Sequence, residues 1–165
     1  MAYTPSEIVN VNKTITLTGN GAIIESIFSL IGIVRIHEIY GVVTEAVDST
    51  TLQKVGLILY ETTPTTVEIT DIGTGVDCSG TDVGSLLIRT AVVGSTSALT
   101  YKKADVCSSI ELMYEGGGYG LVVVQRNGVT TNIKVSFTGD VNTDVDIQWF
   151  IKYTPLSSGS KIIAV

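Results

Sequence analysis

One histidine, two cysteines and a run of carboxylates are the residues of this chain that could do chemistry. His37 stands beside Glu38. On an extended segment adjacent side chains point to opposite faces, so this pair is not set up to cooperate. A general base needs a partner within hydrogen-bond reach, and nothing nearby in the sequence supplies one. Both residues therefore read as polar groups at the edge of a β-structure. A single histidine also rules out a histidine-rich metal site, and zinc held by Cys78, Cys107 and His37 lacks the usual ligand spacing.

The run Asp140-Val-Asn142-Thr-Asp144-Val-Asp146 places oxygen ligands at alternate positions, as the first half of a calcium loop does. The pattern then fails. Val145 stands where a glycine is needed and Ile151 where a bidentate glutamate is needed. A hairpin turn with solvated carboxylates is the reading. Asp71, Asp77 and Asp82 share one stretch without motif spacing. The glycines of residues 116–120 lack the Gly-Lys-Ser/Thr ending that cradles phosphate, and they do not open a helix. No nucleophile, base and orienting group can be assembled, so the chain is read as a non-enzyme with no catalytic residues, cofactor or metal.

Composition narrows the classes further. The 165 residues suffice for one domain with a sizeable core. Sixteen acidic against ten basic side chains leave a formal charge of −6, which argues against nucleic acid as a partner. No run approaches the roughly 20 apolar residues of a membrane-spanning helix, so no membrane is expected. Yet mean hydropathy is +0.40, and that surplus points to contacts with other chains. Residues 1–7 show no basic region followed by an apolar one, so no secretion signal is expected. Cys78 and Cys107 are accordingly expected to be separate thiols in a reducing compartment.

The elements that would position these residues are strands. In residues 144–153, Val145, Ile147, Trp149, Ile151 and Tyr153 share one face. Asp146, Gln148 and Lys152 take the other, with Phe150 as the apolar exception. This alternation marks a strand with one buried face. Residues 132–138 repeat it, with Ile133, Val135 and Phe137 inward, and the turn residues between suggest an antiparallel hairpin. Similar runs occupy 14–18, 33–43, 54–61, 67–70, 85–93, 109–114 and 121–125. Residues 23–31 fit helical spacing, but their Ile, Phe and Ser content favours a strand. Residues 71–84 read as a long surface loop. Eight to ten short strands without helical crossovers give an all-β fold, an antiparallel β-sandwich and within that class a jelly roll. The expected organisation is an N-terminal arm over 1–12, one sandwich domain over 13–156 and a flexible tail over 157–165.

Two stretches resemble a family. Phe28-Ser-Leu-Ile-Gly32, followed by Val34-Arg-Ile-His-Glu-Ile-Tyr40-Gly, resembles the N-terminal strands of small structural proteins of tailed bacteriophages. There a Phe-x-Val-x-Gly turn precedes an alternating strand. Ile147-Gln-Trp-Phe-Ile-Lys-Tyr153-Thr-Pro155-Leu-Ser-Ser-Gly159 looks like their closing strand, and residues 77–85 have a similar flavour. Together these cover about a third of the chain. Ile31 departs from the small polar residue of that pattern. The resemblance implies a capsid decoration (cement) protein, made in the host cytoplasm and found on the capsid surface of the virion. Its implied partners are the major capsid protein and its own copies, as a homotrimer. The contacts are expected at the chain ends, through Tyr3, Ile8, Ile162, Ile163 and Val165. Two competing readings are another virion component (tail, head fibre or spike) and a carbohydrate-binding sandwich using Tyr101, Tyr114, Tyr119 and Phe150.

Overall fold

The computed structural model describes residues 8–18, 21–45, 54–61, 67–78, 80–89, 99–102, 121–125, 129–139 and 145–165. Among these the chain forms strands and no helix. In order they are β1 (Val9–Leu17), β2 (Gly21–Ile31), β3 (Ile33–Val43), β4 (Lys54–Glu61), β5 (Val67–Asp77), β6 (Leu86–Arg89), β7 (Leu99–Lys102), β8 (Leu121–Val124), β9 (Thr131–Gly139), β10 (Val145–Pro155) and β11 (Lys161–Ala164). Sheet A runs β1-β10-β3-β6-β7, with β8 also paired to β3, and sheet B runs β11-β2-β9-β4-β5. Every pairing is antiparallel. The two sheets share one hydrophobic core, which makes the fold a β-sandwich.

Alternation determines that core. On β10, Val145, Ile147, Trp149 and Ile151 are fully buried and Tyr153 nearly so. Ile133, Val135 and Phe137 of β9 are fully buried as well. These two strands do not pair as the hairpin expected from sequence. β9 lies in sheet B and β10 in sheet A, so their apolar faces meet across the core instead of lying side by side. Alternation says which residues turn inward and is silent on which strand lies alongside. The room for Trp149 comes from Gly41, its register partner on β3. A Cβ there would lie 2.8 Å from Ile147 Cγ2 and 3.1 Å from the indole. The polar stretch expected to be a loop is partly strand, since β5 continues to Asp77 against β4.

A single residue, Gly32, separates β2 in sheet B from β3 in sheet A. Its φ of 74° is one that side chains with a Cβ avoid, and a Cβ would also run into Ser160 Oγ. Polar groups converge on this corner. Gly32 N donates to Gln125 Oε1 at 3.0 Å, and Gln125 N donates back to Gly32 O at 2.8 Å. Ile33 N donates to Ser160 Oγ at 2.8 Å, and the Ser157 and Ser160 hydroxyls share a hydrogen bond of 2.6 Å. Residues 157–160 are thereby pinned to the corner. The expectation of a flexible tail over 157–165 is corrected: the turn delivers β11 to the edge of β2, where Ile162 enters the core. The expectation of an arm over 1–12 is corrected too, because β1 begins at Val9 and pairs along its whole length with β10.

Candidate interaction surface

The strongest concentration of chemically distinctive side chains lies on the outer face of sheet A. The register aligns them in rows. Thr154 of β10 sits opposite Arg35 of β3, which sits opposite Val122 of β8. Continuing the β1 register by one residue brings Ile8 to the end of that row. Ile8 is 58% exposed, Val122 48% and Val124 53%, so three large aliphatic side chains face solvent at this end. The next row holds Asn10, Lys152 and Glu38, and the one after it Asn12, Phe150, Tyr40 and Ile88. Tyr40 and Phe150 stack with ring centroids 4.9 Å apart and planes within 11°. Phe150, the residue that broke the sequence alternation, is thus half of an aromatic pair on the outside. Its partner Tyr40 went unnoticed because 110 residues separate the two in sequence and only the β3–β10 register joins them.

His37 and Glu38 need a correction. The β3–β10 register shifts between Lys152 and Tyr153, so Lys152 pairs with Glu38 while Tyr153 pairs with Ile36. His37 is the extra residue of a β-bulge. Consequently His37 and Glu38, both half-buried, lie together between the buried Ile36 and Ile39 and share the outer face. His37 Nε2 and Thr154 Oγ1 share a hydrogen bond of 2.8 Å, a partner that sequence alone did not supply. Glu38 pairs with Lys152, its Oε2 lying 2.8 Å from Nζ. That hydrogen bond holds the Lys152 ammonium above its ordinary pKa, with the Glu38 charge adding to it and desolvation opposing it. The carboxylate that would have to orient the imidazole is committed to a lysine.

The other sequence candidates are dispersed. Ile162 is 2% exposed and belongs to the core, whereas Ile163 and Val165 after it are exposed. Ile8 is exposed immediately before β1. A strand alternates faces, so three apolar residues in a five-residue end could not all remain outside once it paired. Tyr3, Cys107, Tyr114, Tyr119, residues 116–120 and residues 140–144 lie outside the described residues. Tyr101 is on β7 in register with Leu87. Cys78 is a buried thiol. Burial first, and the Asp77 charge second, push its pKa up to about 12, which keeps it protonated and a poor nucleophile at neutral pH. Among the described residues no group of three or more His, Cys, Asp or Glu side chains could hold a metal ion, and no helix is long and apolar enough to cross a membrane.

In comparisons with known families, curated proteins and solved structures, nothing matches this chain.

Proposed function

We propose that this chain is a structural component of a tailed-bacteriophage virion, a decoration protein that binds the outer surface of the major capsid shell and stabilises it. The observation that carries the reading is the outer face of sheet A, where Ile8, Val122 and Val124 are exposed at one end and the Tyr40–Phe150 stack lies two rows away on the same face. Folding does not require apolar side chains on the solvent face of a sandwich, and clustered ones are characteristic of contact surfaces. Aromatic side chains supply large contact area at small cost in side-chain entropy.

The strand order supports the jelly-roll form of the sandwich. β1 pairs with β10, β2 with β9, β3 with β6 and β4 with β5, which is a long antiparallel hairpin rolled up on itself. The resemblance of the β2–β3 corner and of the closing strand to phage structural proteins supplies the virion context. The role is binding, not catalysis: the Cys78 thiol is buried and protonated, and the bulge carboxylate is tied to Lys152. A homotrimer suits this role, since copies placed around a local three-fold axis engage several shell subunits at once and gain from multivalency.

The test is co-sedimentation of purified protein with undecorated capsids, beside its own sedimentation velocity. The wild-type chain is expected to pellet with the shells and to sediment as a trimer. Val122→Glu is expected to weaken shell binding at least ten-fold while its melting midpoint stays in place. Unaltered pelleting of the folded variant, or no pelleting of the wild type, would overturn the reading.

A further inference from the structure

A second surface, separate from the outer face of sheet A, lies at the edge of sheet B. β2 pairs along its length with β9. On its other side β11 covers only Phe28–Ile31, and the last contact is Val165 N donating to Ile27 O at 3.2 Å. Residues 22–26 of β2 therefore form a bare edge among the described residues, collinear with β11 and about five residues long. Its side chains are open: Ala22, Ile24 and Glu25 are exposed, and Ile23 is half-buried against the core.

Glu25 gives this edge its chemistry. Its register partner is Val135, next to Leu57 of β4, and both of these are fully buried. Glu25 thus occupies a core row, yet it reaches solvent past the uncovered edge and has no ion pair among the described residues. An inward-register charge on an edge blocks indiscriminate strand pairing, because adding an ordinary apolar strand would bury it unpaired. A strand bringing the opposite charge to that position removes the penalty. The nearby edge of sheet A carries the reverse sign: Lys13 of β1 sits in the inward register opposite Trp149. A basic strand is therefore repelled by β1 and accepted by β2.

We propose that the bare edge of β2 takes an extended segment of a partner protein, antiparallel to β2, with a lysine or arginine opposite Glu25 and apolar residues opposite Ile23 and Ile24. Backbone pairing supplies the attraction, and the charge at Glu25 selects the sequence.

The probe is the peptide TKVIT, whose second residue falls opposite Glu25, with TEVIT as control. Isotope-labelled full-length protein is titrated with each at millimolar concentration and followed by amide NMR. TKVIT is expected to shift and protect the amides of residues 22–26 and to bind at least ten-fold more tightly than TEVIT. The exposed substitution Glu25→Lys is expected to reverse that preference. In a second measurement each peptide is appended after Val165, in line with β11, which raises its effective concentration. The TKVIT extension is expected to raise the melting midpoint by ~2–4 °C over the TEVIT extension. Equal behaviour of the two peptides in both formats, or protection at β1 instead of β2, would overturn the proposal.

Discussion

The two sheets bury equivalent interiors and present different exteriors. Inside, Ile147, Trp149 and Ile151 of sheet A face Phe28, Ile133 and Phe137 of sheet B, all without solvent exposure. Outside, sheet B exposes isolated aliphatic groups, Ile24 on β2 and Ile163 on β11, among polar ones. Ser136 and Thr138 of β9 face out, and Lys134 extends over the Tyr60 ring at 3.9 Å, covering its face with a cation. Sheet A instead carries a stacked aromatic pair on its exterior and gathers its exposed aliphatic groups, Ile8, Val122 and Val124, at one end. The interior of a sandwich constrains every second residue of each strand, while the solvent side is chemically permissive. A difference confined to the permissive side is not a requirement of folding. It points to what the molecule meets.

The largest expected effect tests the equivalence of the interiors. Trp149→Ala and Phe137→Ala should each cost about 3–5 kcal/mol, because each removes a fully buried aromatic from one shared core. Chemical denaturation measures both. A loss in one variant more than twice that in the other would show that one sheet holds the core alone.

Gly41→Ala should come next, at about 1–3 kcal/mol by overpacking against Ile147 and the Trp149 ring. In a double-mutant cycle with Ile147→Ala, which removes the Cγ2 that the new Cβ would meet, thermal melting should recover part of the summed loss of the two single variants. No recovery would place the strain elsewhere.

The exteriors are separated by a matched pair of charges. Phe150→Lys on sheet A should weaken self-association or shell binding about ten-fold, or roughly 1.4 kcal/mol. Ser136→Lys on sheet B should leave both unchanged. Sedimentation velocity at several concentrations reads the two side by side, and equal effects would erase the contrast between the faces.

The smallest effect belongs to the Lys152–Glu38 pair. It is partly solvent-exposed, so screening limits it to about 0.5 kcal/mol, read from a double-mutant cycle with alanine at both positions. The lysine pKa is higher in the folded state than its ordinary value of 10.5. The contribution is therefore complete below that ordinary value and declines as pH rises through the folded one. A coupling energy already lost at pH 9 would contradict the assignment.

Much of the fold was legible in the residues themselves. The inward sets of β9 and β10 follow from alternation alone, as does the all-β class. So does the strand identity of β2, where Ile and Phe outweighed a helical spacing. Those are local properties, set by side-chain size and by the two-residue period of an extended chain. The outward position of Phe150 was legible too. Its meaning was not, because that depends on Tyr40 lying beside it.

Three things were decided only by tertiary structure. β9 and β10 went to opposite sheets because partner choice depends on the whole set of strands, and local pattern does not encode it. His37 and Glu38 came to share a face because β10 pairs with β3 one residue out of step, and nothing in the β3 sequence announces a bulge imposed by its partner. The last residues became strand β11 because Ser160 and Gln125 fasten the Gly32 corner and direct the chain back along β2. Sequence alone thus determined which side chains the chain must bury. Which of the remaining ones meet on one surface was decided by long-range register, since the Tyr40–Phe150, His37–Thr154 and Glu38–Lys152 contacts join residues more than a hundred positions apart.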